Sequence, residues 1–540
     1  MRITSELSTS EIERHAPAVE GIMRALAGMD APSPEDIHAI LRKHPRDGNS
    51  MFSKGQLTRI YRHLCDEGRL EFDDRLLRRI RRKPVRTLSG VAPVTVLTKP
   101  YPCPGKCIFC PTDVRMPKSY LHDEPGAMRA EQHAFDPFDQ TAGRIDTLSG
   151  NGHAVDKIEL LVLGGTWSGY PQEYQEWFVR RCFDAMNGRE SSSLEEAHRL
   201  NEDARHRNVG LVLETRQDHV TPREVRRLRR LGATKIQMGA QSLDDRVLAL
   251  NHRGHAVEDT RQAMRLLRGA GFKLVLHWMP NLLGATLESD REDFLRLFDD
   301  EALRPDELKI YSTALLKNAE LYEYYARGEY EPYDEADLLE LILECKRHVP
   351  EYCRINRIYR DIPSTNIVAG SKMTNMRQHL HRLLRRLGPE AQCRCIRCRE
   401  MRSENWEDLH VVERRYRSSH CEEYFVSYEN SEERLAGYLR LSLPDTPGRV
   451  GGRDLEIPEL NGVALVREVH VYGPSRELGQ SDAAGSQHRG LGKQLMLRAE
   501  EMARAAGYDG LAVIAAVGTR PYYAARGYTP EGSYMLKRWA

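Results

Sequence analysis

Three cysteines in the run Tyr101-Pro102-Cys103-Pro104-Gly105-Lys106-Cys107-Ile108-Phe109-Cys110 stand at C-x3-C-x2-C spacing, and no other feature narrows the chain so far. Three thiolates can hold three irons of a 4Fe-4S cluster and leave the fourth iron open to a substrate or cofactor. An electron carrier usually closes that corner with another cysteine, but the next one, Cys182, lies 72 positions on, in a segment patterned as an amphipathic helix. Zinc favours C-x2-C pairs, and Pro and Gly flanks do not suit core packing. An open-cornered cluster on Cys103, Cys107 and Cys110 is therefore expected.

At 540 residues the chain is too long for one ordinary core and should hold two or three domains. The net charge of +1 hides local basic runs. Eleven cysteines, six of them in two tight triplets, argue for a reducing interior rather than a disulfide framework. The opening Met1-Arg2-Ile3-Thr4-Ser5 has no apolar core of signal-peptide length, and no stretch approaches 18 apolar residues. A cytoplasmic enzyme without membrane attachment is expected.

Residues 1–85 read as a helical, basic module. Its end carries Arg75, Arg78, Arg79, Arg81, Arg82, Lys83 and Arg86 with no acid between them, a run that suggests a phosphate-rich partner. Over 86–375, strand-like runs (94–97, 158–163, 209–213, 234–238, 274–277, 307–312) alternate with helical patterns such as 171–187, 221–231 and 256–269. Repeated βα units predict a parallel sheet, open or closed into a partial barrel, with its chemistry at the C-terminal strand ends. The cysteine loop follows the first strand, where that rule places a cofactor. A basic connector over 376–420 contains Cys393, Cys395 and Cys398. From 421 to 540 antiparallel strands and a helix at 490–506 predict an α+β domain.

Gly164-Gly165-Thr166 ends the second strand, and two glycines there let backbone approach a small polar ligand. Glu214 and Gln237 sit at the ends of the next two strands as polar groups for the same cofactor. Together with an open-cornered cluster on a βα scaffold, these features resemble the radical S-adenosylmethionine (SAM) superfamily, which implies that the fourth iron chelates SAM. Farther on, Ser486-Gln487-His488-Arg489-Gly490-Leu491-Gly492 lies between a strand and a helix and resembles the acetyl-CoA loop of the GNAT acetyltransferases, whose backbone N–H groups and helix N-terminus hold the pyrophosphate. In that fold the strand Glu468-Val469-His470-Val471 should bond the acyl-pantetheine arm, and Tyr522 or Tyr523 can protonate the leaving thiolate.

The two modules in one chain, with Pro84–Gly90, Met128-Arg129-Ala130, Glu214-Thr215-Arg216, Met279–Leu282, Tyr359–Pro363, Arg467–Gly473 and Val517–Tyr523, resemble the catalytic subunits of Elongator from about residue 50 onward. The resemblance implies a tRNA uridine acetyltransferase acting on the wobble position in the anticodon stem-loop. It would use acetyl-CoA and a SAM-derived 5'-deoxyadenosyl radical to install a carboxymethyl group at C5, drawing on an external electron donor. By the same resemblance Lys157 contacts acetyl-CoA, and Gln487, His488 and Tyr523 form the acyl-donor site. Arg78, Arg79, Arg81, Arg82 and Lys83 are expected to bind tRNA. Eukaryotic members have a longer gap between the first two cluster cysteines, and fewer cysteines where Cys393-x-Cys395-x2-Cys398 offers three soft thiolates. Structural zinc there is thus an expectation for this chain itself, with His379, His381, His420 or Cys421 as fourth ligand. The alternative function is a protein lysine acetyltransferase with a structural Fe-S domain. Oligomeric state, a homodimer included, is left open.

Overall fold

Serines open the first three helices. In the computed structural model, which describes residues 7–81, 87, 90–373, 375–401, 408–445, 454–472 and 490–539, Ser8, Ser33 and Ser53 each form a capping box with the residue three positions on, Glu11, Asp36 and Gln56. Each box satisfies two backbone groups that a helix start leaves unpaired. The helices Thr9–Ala27, Pro34–Lys43, Lys54–Asp66 and Asp74–Ile80 close on one core containing Val19, Ile22, Leu26, Leu57, Ile60, Tyr61, Leu64 and Leu77. Together with Ala142–Lys157 they belong to one compact unit; the described residues from Val94 to Thr141 and from Ile158 onward form a second.

The second unit is built on two seven-stranded sheets. The first runs in sequence order: β1 (Ala92–Leu97), β2 (Lys157–Leu163), β3 (Arg207–Thr215), β4 (Lys235–Gln241), β5 (Lys273–Trp278), β6 (Glu307–Ile310) and β7 (Arg354–Arg357). From β3 onward every neighbouring pair is parallel. All six expected strands form, and β7 extends the sheet. Parallel strands covered on both sides ordinarily read as unbroken apolar runs; here Lys235 and Gln237, Lys273 and His277, and Glu307 and Lys309 recur at alternate positions. Their side chains meet one another across the sheet: Lys235 Nζ lies 2.7 Å from Glu159 and 3.2 Å from Glu307. Buried Asp293 ties down two strand ends, accepting from Leu243 N at 2.7 Å and Trp278 Nε1 at 2.8 Å.

The second sheet takes the order β8 (His410–Ser418), β9 (Cys421–Glu429), β10 (Leu435–Pro444), β11 (Val463–Val471), β12 (Gly510–Val513), β14 (Tyr534–Arg538) and β13 (Thr529–Glu531). The helix Leu491–Ala505 packs Leu495, Met496, Ala499 and Ala503 against Leu439, Leu441, Val466 and Leu511. The sheet begins at His410, eleven residues before the boundary expected at 421. The segment His410-Val-Val-Glu-Arg-Arg-Tyr-Arg reads as polar because it is an edge strand, and charged residues guard exposed edges. Its arginines pair with β9, as in Arg414 with Glu429 at 2.6 Å.

Buried charge joins the sheets. Asp306, just before β6, accepts from Arg467 of β11 at 2.7 and 2.8 Å, with Arg440 at 3.3 Å and Arg268 at 3.7 Å. Glu423 receives Arg467 at 2.7 Å, and Glu468 receives Arg440 at 2.9 Å together with Lys273. Asp306, Glu423, Arg268 and Arg467 have side chains with no solvent exposure. Adding Lys235, Glu159 and Glu307 gives five cations and five carboxylates. That balance is what keeps such a network tolerable in a low-dielectric interior. Nearby, a Cβ on Gly518 would fall 2.6 Å from Arg207 Cβ and 2.8 Å from the Asn208 backbone, so only glycine lets this turn meet the start of β3.

Candidate active sites on the two sheets

The cysteine loop leaves the C-terminal end of β1, as expected. Gly164 and Gly165 have φ of +133° and +98°. A Cβ on Gly164 would lie 1.9 Å from Thr98 Oγ1, so this turn requires glycine. The turn delivers Thr166, whose Oγ1 lies 3.7 Å from Cys103 Sγ. The free Cys110 thiol donates a hydrogen bond to Cys107 Sγ, and Arg253 Nη1 reaches Cys107 Sγ at 3.4 Å. The Cys110 bond first, then the charges of Arg253 and Arg216, draw Cys107 toward the thiolate against the cost of burial. Arg216 is held by Asp218 at 2.8 Å and by the Arg253 carbonyl at 2.9 Å.

These residues fit an anionic thiolate cluster. Arg216 Nη1 and Arg253 Nε are buried without a hydrogen-bond acceptor, and a Cβ on Gly105 would strike Arg216 Nη1 at 2.3 Å. The Cys103 set does not share the compactness of the second triplet. Cys393, Cys395 and Cys398 place their Sγ atoms within 4.8 Å of one another. A tetrahedral zinc with Zn–S near 2.3 Å wants sulfurs about 3.8 Å apart, so the second triplet suits a single ion. Of the four expected partners, the structure brings His381 to the second triplet, its Nε2 3.8 Å from Cys398 Sγ. Buried Lys346 also reaches Cys398, at 3.9 Å. His420 lies instead among Arg265, Arg268 and Asp445.

Glu214 and Gln237 do meet, with neighbours that the sequence reading left out. His277 Nε2 bonds Gln237 Oε1 at 3.1 Å and its Nδ1 lies 3.9 Å from Glu214. Lys309 donates to Gln237, and Tyr311 stands 5.9 Å from the His277 ring. Burial pushes Glu214 up and His277 well down, and brings Lys309 to about 8. Such shifted groups converging at strand ends mark a reactive site. The signal for Lys309 and Tyr311 was their alternation in Glu307-Leu-Lys-Ile-Tyr, a pattern a purely apolar strand would not show.

On the second sheet, β11 pairs with β12 only from Val463 to Val466. Beyond that point Glu468, Val469, His470 and Val471 remain paired with β10 alone, so the two central strands part. His470 is tilted against Tyr472 at 4.5 Å, its Nε2 is buried without a partner, and burial lowers it to about 4. Gly490 takes φ +126° at the start of the helix Leu491–Ala505, which has no side-chain cap. A Cβ on Gly492 would meet Tyr522 Oη at 2.8 Å. Tyr523, by contrast, packs in the sheet core beside Tyr528. Ser486, Gln487, His488 and Arg489 lie outside the described residues, as do Arg82 and Lys83.

Within the first unit, Lys157 opens β2, opposite the Gly164 end, with Asp156 at 3.9 Å. Arg78 and Arg81 both face Asp74, at 3.8 Å for Arg81. Arg79 donates to the carbonyls of Leu26 and Asp30 at 2.5 and 2.7 Å, closing the end of the first helix.

Residues 101–298 match the model of the Radical SAM superfamily and residues 305–387 that of the Radical_SAM C-terminal domain. The half-barrel and its thiol loop define a radical SAM protein, a class whose fold implies a 4Fe-4S cluster and SAM. The chain is 41% identical over 475 residues to the tRNA uridine(34) acetyltransferase of Methanocaldococcus infernus, covering 85% of this chain and 87% of that protein. It is 36% identical over 484 residues to Elongator complex protein 3 of Mus musculus, covering 86% of each. The solved structure of M. infernus Elp3 with an N-terminal deletion superposes with a TM-score of 0.72 at 36% identity, over 83% of this chain and 99% of that one. The chain belongs to the family of tRNA uridine(34) acetyltransferases and Elongator complex protein 3.

Proposed function

We propose that this enzyme modifies the wobble uridine of tRNA, forming a carboxymethyl group at C5 with acetyl-CoA as carbon donor. The observation that carries this reading is the union in one unit of a thiol loop at the strand ends of a half-barrel and a split-strand site on the sheet locked beneath it. Uridine C5 is too weak a nucleophile for ordinary acyl transfer, which gives the barrel a chemical purpose. Cys103, Cys107 and Cys110 would hold the cluster, and Gly164, Gly165, Thr166, Glu214 and Gln237 would line the place for SAM. Once bound, cluster and SAM supply a 5'-deoxyadenosyl radical able to take a hydrogen atom. Arg216 and Arg253 balance the thiolate charge, while the side chains of Lys309 and His277 orient Gln237.

The second sheet is read as a GNAT-like domain. Backbone groups of Glu468 to Val471 freed by the split bond the pantetheine amides, and the uncapped helix start at Gly490 to Gly492 takes the pyrophosphate. By the family likeness, Ser486, Gln487, His488 and Arg489 are assigned to acetyl-CoA binding, and Lys157 to an acetyl-CoA contact. Of the two tyrosines, Tyr522 is the better-placed proton donor, since its hydroxyl stands at Gly492. Tyr522→Phe is expected to slow CoA release about 10²-fold or more, with Tyr523→Phe costing stability instead; thiol release and melting temperature of the two variants check this.

Zinc on Cys393, Cys395, Cys398 and His381 would pin the segment after the barrel. One zinc per chain is expected by metal analysis, and Cys395→Ser should lose it; a wild-type protein free of zinc refutes the site. No helix among the described residues is long and apolar enough to cross a membrane. The function is tested by anaerobic incubation of the reduced protein with SAM, acetyl-CoA and tRNA, followed by nucleoside mass analysis. A mass gain on the wobble uridine supports it, and an unchanged nucleoside from protein with its full iron content sinks it.

A further inference from the structure

From Ile362 to Pro389 the chain contains no Asp or Glu, while Lys372, Arg377, Arg382, Arg385 and Arg386 bring five positive charges. The helix Met376–Arg386 sorts them by face. Met376, Leu380 and Leu384, spaced i, i+4 and i+8, are buried. Arg377 serves the anchored side, its Nη2 donating to the Ile355 carbonyl on β7 at 3.2 Å, and His381 lies against Cys398. Gln392 Nε2 closes the far end on the carbonyls of Leu384 and Gly388 at 2.8 and 3.0 Å.

With the packed side fixed, Arg382, Arg385 and Arg386 are left exposed and, among the described residues, make no ion pair. Arginines on either side of this stretch are engaged: Arg354 with Glu400, Arg357 with Asp361 and Arg360 with Glu124, each at 2.9 Å, then Arg394 with Glu433 at 3.0 Å, Arg397 with the Asn356 carbonyl at 3.3 Å and Arg399 with Glu429 at 2.9 Å. Arg78 and Arg79 in the N-terminal basic run are likewise engaged, with Asp74 and with two carbonyls. Cations in a last helical turn complement the macrodipole, which explains one arginine there but not the exclusion of every acid from the surrounding segment.

We propose that the exposed face of Met376–Arg386 is a phosphate-binding surface for RNA, with Arg382, Arg385 and Arg386 set against the backbone. It rests on the tRNA reading above and adds where the sugar-phosphate chain is gripped. The planar guanidinium fork suits phosphate oxygens. A rigid helix presenting three of them, fixed to the last barrel strand and to the cysteine triplet, spends little entropy on binding. The surface reads charge rather than sequence.

The test is the full-length triple variant Arg382→Gln, Arg385→Gln, Arg386→Gln, with tRNA binding measured across a KCl series. Removing one arginine–phosphate pair should flatten the slope of log K against log[salt] by about 0.7–0.9. A drop of about 2 in slope and roughly 10²-fold weaker binding near 0.1 M salt are expected for the triple variant. The matching Lys triple variant should recover most of both. A Gln variant that melts like the wild type and keeps the full salt slope overturns the proposal. Wild-type protein that fails to bind tRNA at all would instead overturn the parent reading, and this one with it.

Discussion

Arg467→Met is expected to lower the stability of the second unit by about 3–5 kcal/mol, the scale for stripping one partner from a buried ion network. Arg467 alone hydrogen-bonds both Asp306 and Glu423, so its loss leaves two carboxylates in a dry interior with Arg440 and Arg268 as the remaining arginines and only the Leu274 N–H and the Ser442 hydroxyl as neutral donors. The variant should melt earlier, and fluorescence of Trp278, buried in the barrel, should change together with that of Trp539 on the second sheet. A shift under about 1 kcal/mol would mean that the network carries no more than surface pairs do.

Acid should act through the same groups. Burial opposes ionisation of Asp306 and Glu468, but Arg467 and Arg440 around the first, and Lys273 and Arg440 around the second, hold both well below the usual carboxylate range. Lys235 and Lys273 likewise overcome burial and bring Glu307 down to about 2. A carboxylate lower in the folded state than in the unfolded one stabilises above its unfolded pKa, about 4, and loses that contribution as pH falls toward the folded value. Stability should therefore decline steeply between about pH 4 and 2, and less steeply in Arg467→Met. Urea titrations across that range measure it.

Cys107→Ala should abolish SAM cleavage, by about 10³-fold or more. Cys107 is the thiol that Arg253 and Cys110 both address, and three thiolates are the minimum that leaves a single iron free. Loss of the brown absorbance and of bound iron after anaerobic reconstitution, with the melting temperature within a few degrees of wild type, is the expected pattern. A variant that still releases 5'-deoxyadenosine would remove the cysteine loop from the chemistry.

Much of this was legible along the chain because local rules and short spacings are local facts. The cysteine loop, Gly164-Gly165 and the strand periods depend on neighbours a few positions away, and the structure places them where the strand-end rule does. Edge strand β8 was misplaced because an edge is defined by what does not pair with it, and its charges read as connector. Lys309, His277 and Tyr311 were passed over because each looks ordinary on its own strand. Only the parallel pairing of β4, β5 and β6 turns the three into one cluster around Gln237.

The N-terminal basic run shows the limit in the other direction. Its composition suggested free cations, but Arg79 caps a helix end through carbonyls 49 and 53 positions away, and Arg78 answers an acid four residues earlier. On Met376–Arg386, by contrast, Arg382, Arg385 and Arg386 are exposed and make no ion pair among the described residues. Sequence by itself determined the element types, the position of the thiol loop at a strand end and the family, since these follow from residue kinds at fixed spacing. Tertiary structure alone decided which charges neutralise one another, which tyrosine of the pair faces Gly492, and which histidine joins the second triplet. The reason is that pairing energies fall with distance through space and take no account of distance along the chain.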